Sequence, residues 1–398
     1  MIQKINPCPQ PCKILDGSSF GNIRKTSWQI LLSDQSQNVR FGENASFSDK
    51  LLGRITEPIA YTFTNSRLMG ALNQVMFKPD DPMRIRFIEP EKVSLFGDFK
   101  TVDFKSWDGK ALKGHWLEAE TPSEKTVVLG HGYCGDWRLM LPLAQRLGKE
   151  GYNVFLFDFR GHGDSEGETS TLGFQEGKDI AGAVWFAQKQ YPEKTKKTFY
   201  MGHSMGAAAY MLAPQSLKAT PDALKLLSKK VKGVVLDSAY AEINPREFGW
   251  IKKALPNAPT KATPETPGEK IEKAVFEFAE RGIRSLMGHA ETFIGTSIDT
   301  LKPGDILKTT RALSKKPMLM IHGTQDTVTP YEQGLLNRDK LQKHCPKLKF
   351  FSLEGTDHID PYWKGLGDKS GNEYGYTVVP RGGEAYYEAV LGFLNQAS

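Results

Sequence analysis

The chain has 398 residues, more than one typical domain, and its 39% hydrophobic content suffices for a sizeable core. No apolar run approaches the roughly 18 residues of a membrane-crossing helix, and Met1-Ile2-Gln3-Lys4-Ile5-Asn6-Pro7 lacks the apolar stretch of a secretion signal, so a cytoplasmic location is expected. The net charge of +6 is mild for this length and no nucleic-acid motif is present; lysines between Lys218 and Lys273 predict a solvated basic face, or in a sharper reading one attracted to an anionic membrane surface or acidic partner.

Residues 1–95 read as an N-terminal extension of unassigned role. They are rich in Ser, Gln, Asn and Gly over 16–50, with a short amphipathic helix predicted over Arg67–Phe77 from the shared face of Leu68, Leu72, Val75 and Met76. Cys8 and Cys12 open the chain without a partner pair at zinc-site spacing, and free thiols are expected.

From about Phe99 the pattern becomes rhythmic. Lys100–Trp107 and Ala111–Glu118 alternate like strands around an Asp108-Gly109 turn. Apolar strands follow at Thr126–Leu129, Asn153–Phe157, Lys197–Met201, Val231–Leu236, Lys316–Ile321 and Lys347–Leu353. Helices are predicted up to about Glu150, over Leu172–Gln190, over Ser204–Leu212 and over Ala385–Leu394. Strands alternating with helices imply a mostly parallel sheet covered on both faces. Pro214–Lys230 reads as a lengthened connection. Residues 240–312, too long for an ordinary connection, read as a cap with a helical part over Glu272–Met287. The expected organisation is a core of 96–239 and 313–398 interrupted by that insertion.

The pentapeptide Gly-x-Ser-x-Gly occurs twice, at Gly163–Gly167 and Gly202–Gly206. A nucleophile elbow needs a strand before the serine and a helix after it. Thr198-Phe199-Tyr200-Met201 and Ala207-Ala208-Ala209 supply both around Ser204. Ser165 has acidic neighbours, Asp164 and Glu166, which oppose an alkoxide. Ser204 is therefore the expected nucleophile. It needs a base, and His358, just past the last apolar strand, fits best. Asp326, in the loop after Lys316–Ile321, is the expected acid; Asp237, at the end of Val231–Leu236, is the rival. His322 is expected to shape a turn. The oxyanion is assigned to the backbone N–H groups of Met205 and Tyr133, with Cys134 next in line and its thiol left to packing.

Four ordered blocks carry a family resemblance: Leu129-Gly130-His131-Gly132-Tyr133, Asp158–Ser165, Gly202–Gly206, and His322-Gly323-Thr324-Gln325-Asp326 with His358 beyond. Over roughly residues 88–398 the chain resembles the α/β-hydrolase superfamily, and within it monoacylglycerol-lipase-like serine hydrolases. The resemblance implies an α/β-hydrolase fold, hydrolysis of an ester, thioester or amide through an acyl-enzyme, no metal or organic cofactor, and a structural role for the block holding Ser165. A carboxylic acyl ester is the expected small-molecule substrate. A peptidase removing N-terminal residues, a thioesterase or acyltransferase, and a non-catalytic binding protein on the same scaffold are the alternatives. Tyr362, Trp363, Tyr374 and Tyr376, in the long segment Pro361–Gly383, are candidates for the pocket border.

Overall fold

A computed structural model of the chain describes residues 90–243, 266, 269, 270, 273, 277, 291, 294–358 and 383–398. The helix expected over Arg67–Phe77, almost all of the Glu272–Met287 helix and the aromatic candidates between 361 and 382 lie outside the described residues. The chain divides into two units, Met1–Met69 with Pro256–Gly282, and Gly70–Leu255 with Ile283–Ser398. Every element named below belongs to the second.

The hairpin forms as expected: β1 (Lys100–Lys105) and β2 (Ala111–Leu117) pair antiparallel, with Lys105 opposite Ala111. Gly109 in the turn takes a φ of +93°, a conformation that side chains resist. Then come β3 (Lys125–Gly130), α1 (Leu141–Lys149), β4 (Asn153–Phe157), α2 (Glu176–Gln190), β5 (Lys197–His203), α3 (Met205–Ser216), α4 (Pro221–Lys230) and β6 (Val231–Asp237). Within the last stretch of the expected cap stand α5 (Pro303–Thr309) and the start of α6 (Arg311–Ser314), and after it come β7 (Met318–Gly323), α7 (Tyr331–Leu341), β8 (Leu348–Leu353) and α8 (Gly383–Ala397). The eight strands form one sheet in the order β1-β2-β4-β3-β5-β6-β7-β8, with β3 to β8 all parallel. This is the α/β-hydrolase architecture. Among the described residues no helix is long and apolar enough to cross a membrane.

Alternation along the strands builds two cores. Val128, Phe155, Phe157, Tyr200, Val234 and Leu236 face one side, against Ile180 and Val184 of α2 and Tyr210 of α3. Val127, Leu129, Val154, Leu156, Met201 and Val235 face the other, against Leu143 and Leu147 of α1 and Val390 and Leu394 of α8. Being apolar on both faces explains why β3 and β4 read as continuous apolar runs.

Three local features differ from expectation. Pro214 lies inside α3, two residues from its end, where its missing N–H removes one of the helix's last hydrogen bonds. The connection after it is a helix, α4, whose buried stripe is only Ala223 and Leu227. Finally, α2 starts at Glu176 rather than Leu172, because the Glu176 carboxylate takes the backbone N–H groups of Thr171 (2.7 Å) and Gly173 (2.9 Å), and Leu172 turns to a φ of +54°.

The chain leaves β3 for β4 on one side of the sheet, yet β5 lies on the other side of β3. At such a reversal the connections diverge and open a crevice at the carboxyl ends of the strands. The loops after β3 and β5 flank it.

Candidate active site

The crevice is built first by glycine. A Cβ on Gly202 would overlap the Gly206 carbonyl, and one on Gly206 would stand 2.5 Å from the Gly130 carbonyl oxygen. The spacing Gly-x-Ser-x-Gly thus lets the start of α3 press against the ends of β3 and β5. Between them Ser204 is held at φ 51°, ψ −115°, outside the regions that side chains favour. Its N–H donates to the Asp237 carbonyl at 2.7 Å, which anchors the strained turn to β6.

His358 follows β8 and is buried. Its Nδ1 stands 2.7 Å from Oδ2 of Asp326. The other Asp326 oxygen accepts from the backbone N–H groups of Val328 (2.9 Å) and Thr329 (2.7 Å), so the loop after β7 aims the carboxylate. Burial pushes the Asp326 carboxyl up, but the His358 charge and hydrogen bond outweigh it and hold it below the ordinary carboxylate value. Burial likewise pushes His358 down, and the Asp326 charge and hydrogen bond more than offset it, so its proton affinity ends above the ordinary histidine value. The Thr329 hydroxyl, 3.1 Å from Asp326 Oδ2, from His358 Nδ1 and from the Ser238 carbonyl, ties this pair to the end of β6.

Asp237 ends β6 beside His203, its register partner on β5. Its Oδ2 accepts from the Tyr386 hydroxyl at 3.0 Å and lies 3.5 Å from His203 Nδ1. The His203 ring in turn packs 4.8 Å, centre to centre, from the His358 ring. Asp326 therefore occupies the imidazole nitrogen for which Asp237 was the rival, and Asp237 meets the residue before Ser204. His322 Nε2 donates to the Thr329 carbonyl at 2.8 Å, and a Cβ on Gly334 would stand 2.5 Å from its ring, so it sits inside the turn under α7.

The loop after β3 closes over the serine: a Cβ on Gly132 would lie 3.3 Å from that of Ser204. His131 Nε2 accepts from the Phe159 N–H at 3.1 Å, which leaves Nδ1 to donate to the Gly132 carbonyl at 2.7 Å and fixes the loop. Among the described residues neither the Tyr133 nor the Met205 N–H meets a backbone acceptor. The Met205 amide is a first-turn helix donor, left over by the helix itself. Cys134 is buried, and burial pushes its thiol up to about 12, which removes the thiolate that chemistry there would need.

Ser165 lies in a different setting. Its hydroxyl donates to the Asp158 carbonyl at 2.6 Å and accepts from the Lys113 N–H at 2.9 Å. Nearby, Arg160 of the same block is buried and forks onto Asp179 (2.7 Å) and Asp108 (2.9 Å). Thr329, His203 and Tyr386 were not singled out from the sequence. Only Thr329 left a local signal there, since a hydroxyl three residues after Asp326 suits an Asx-type turn.

Residues 121–358 match the profile of a family described as serine aminopeptidase, S33. The chain is 23% identical over 286 residues to the protein YfhR of Escherichia coli K12, covering 70% of this chain and 79% of that one. It is 25% identical over 257 residues to the monoglyceride lipase of Rattus norvegicus, covering 62% and 78%. Among solved structures, the Pyrococcus furiosus esterase Pf2001 is similar at 24% identity and a TM-score of 0.49, covering 78% of this chain and 96% of that one.

Proposed function

From the premise that the chain belongs to the serine aminopeptidase S33 family, whose profile spans more than half of it, we propose that it is a serine hydrolase cleaving carboxylic esters, small or lipid-like, through an acyl-enzyme on Ser204. The observation that carries this reading is a strained serine at the carboxyl end of β5 whose preceding residue, His203, packs its ring 4.8 Å from the imidazole of a buried carboxylate–imidazole pair.

In this reading Ser204 Oγ attacks the ester carbonyl while His358 Nε2 takes its proton. The Asp326 carboxylate holds Nδ1 and stabilises the imidazolium that forms. The N–H groups of Met205 and Tyr133 meet the developing oxyanion. His358 then protonates the leaving alcohol, and a water, activated by the same imidazole, releases the acid.

The family's description also favours a second reading, removal of N-terminal residues from peptides. That reaction calls for a carboxylate to receive the substrate ammonium. Among the described residues the carboxylates around His358 already have partners: Asp326 holds Nδ1, Asp237 takes Tyr386 and Asp357 takes Thr327. The ester reading is preferred because a monoglyceride lipase is among the relatives that match most of the hydrolase region. A fluorophosphonate probe labelling wild type but not Ser204→Ala supports the nucleophile. A panel of p-nitrophenyl esters, acyl-CoAs and aminoacyl amides then reads the leaving group. Faster turnover of aminoacyl amides would replace the ester assignment with a peptidase, and faster turnover of acyl-CoAs with a thioesterase. No labelling and no turnover would leave a binding protein on a hydrolase scaffold.

A further inference from the structure

Parallel strands put all their carboxyl ends on one rim and all their amino ends on the other. The amino rim of this sheet is basic. Lys125 and Lys197 open β3 and β5 as register partners, Lys232 is the second residue of β6, and Lys316 stands two before β7. A cleft of about 400 Å³ lies on this rim, lined by Gln188, Pro192, Lys196, Lys229, Lys230 and Lys232.

Two ordinary explanations for clustered lysines account for only part of it. Lys196 is neutralised by Glu124 (2.6 Å) and Glu193 (2.9 Å). Lysines at a helix end can also serve the last carbonyls, but here the Lys316 ammonium donates to the carbonyls of Ser228 and Val231 at the end of α4. Lys229, Lys230 and Lys232 are thus not needed there, all three are exposed, and no carboxylate among the described residues pairs with them. The local excess of charge is felt below: burial and then the Lys232 charge bring the Lys316 ammonium down to about 8.

An independent feature adjoins the cleft. Trp185, 44% exposed, is one of three large apolar side chains that the described surface presents. It lies one turn before Gln188 on α2, with the Lys189 ammonium 5.3 Å from its ring. An exposed Trp beside lysines is the pairing that settles at a lipid headgroup layer, with the indole at the interface and the ammonium groups on the phosphates.

We propose that this rim docks on an anionic phospholipid surface, with Lys229, Lys230 and Lys232 gathering headgroup phosphates and Trp185 entering the interface. Ser204 is at the opposite end of β5, roughly 20 Å away at about 3.3 Å per residue. The docked protein therefore presents its crevice away from the lipid.

The test is flotation of the full chain with phosphatidylcholine vesicles, with and without phosphatidylserine. Wild type is expected to float with the phosphatidylserine vesicles alone, and to come off in high salt. Lys229→Glu/Lys230→Glu/Lys232→Glu is expected to weaken partitioning by at least about a hundredfold. Trp185→Ser should weaken it by roughly tenfold. Hydrolysis of a soluble ester should stay at the wild-type rate in both variants, which shows that each is folded. Triple-variant binding equal to wild type, or wild type ignoring phosphatidylserine, overturns the proposal. Stabilisation of wild type but not the triple variant by inorganic phosphate, without flotation, also overturns it in favour of a small-anion site.

Discussion

Ser165 and Ser204 sit in the same pentapeptide, each after a parallel strand of the same sheet, and the two serines meet opposite fates. After β4 the loop turns back on itself: Gly163 takes a φ of +52° and leaves no room for a Cβ beside the Asp158 carboxylate. The Ser165 hydroxyl is spent on Asp158 and Lys113. After β5 the chain passes straight into α3, whose start is pressed between strand ends, and the strain falls on the serine itself. The motif guarantees a tight turn in both places. What the turn does depends on whether a helix follows it and on which residues arrive from elsewhere.

Exchanging the roles of the two serines is the strongest way to break this contrast. Ser204→Ala should lower kcat for p-nitrophenyl esters by at least about a thousandfold while leaving the melting temperature near wild type. Ser165→Ala should leave kcat within a few-fold. Comparable losses from the two would end the distinction.

The next effect concerns the partners proposed for Ser204. With neutral His358 as the proposed base, kcat/KM should rise with pH through its folded pKa, which the Asp326 charge places above 6.5. Asp326→Asn should lower kcat by about a thousandfold. It should also move that limb to lower pH, since burial then acts on the imidazole without the opposing charge. A limb that stays in place in a pH–rate profile would count against Asp326. The same shift bears on folding: His358 binds its proton more tightly folded than unfolded. Its contribution to stability is full below the unfolded value and fades as pH rises through the folded one.

Smaller effects test the structural serine's loop. Gly163→Ala combines a positive φ with overlap of a buried carboxylate, and should cost about 3 kcal/mol or more by chemical denaturation. Ser165→Ala should cost about 1–3 kcal/mol, because the Lys113 N–H loses its acceptor and the Asp158 carbonyl its donor. Full stability in both would show that the second pentapeptide is not a structural device.

Much of this contrast could be read from the residues in order. The hairpin, the apolar runs of β3 and β4 and the strand–serine–helix order around Ser204 are local patterns, and local patterns survive in sequence. The helix α4 did not, since a stripe of Ala223 and Leu227 among lysines gives little periodicity. The Tyr386–Asp237 contact joins residues 149 positions apart and no spacing rule reaches it. The same holds for the His203–His358 packing. Propensity says where a strand ends; it does not say which side chain another element will lay against it.

That long contact has a consequence for the strained turn. The Ser204 N–H is fixed by the Asp237 carbonyl, and the Asp237 side chain by Tyr386 of α8. The backbone at Ser204 is thus braced through β6 by a helix distant in sequence, so a change at Tyr386 reaches the turn without touching any residue of the proposed triad.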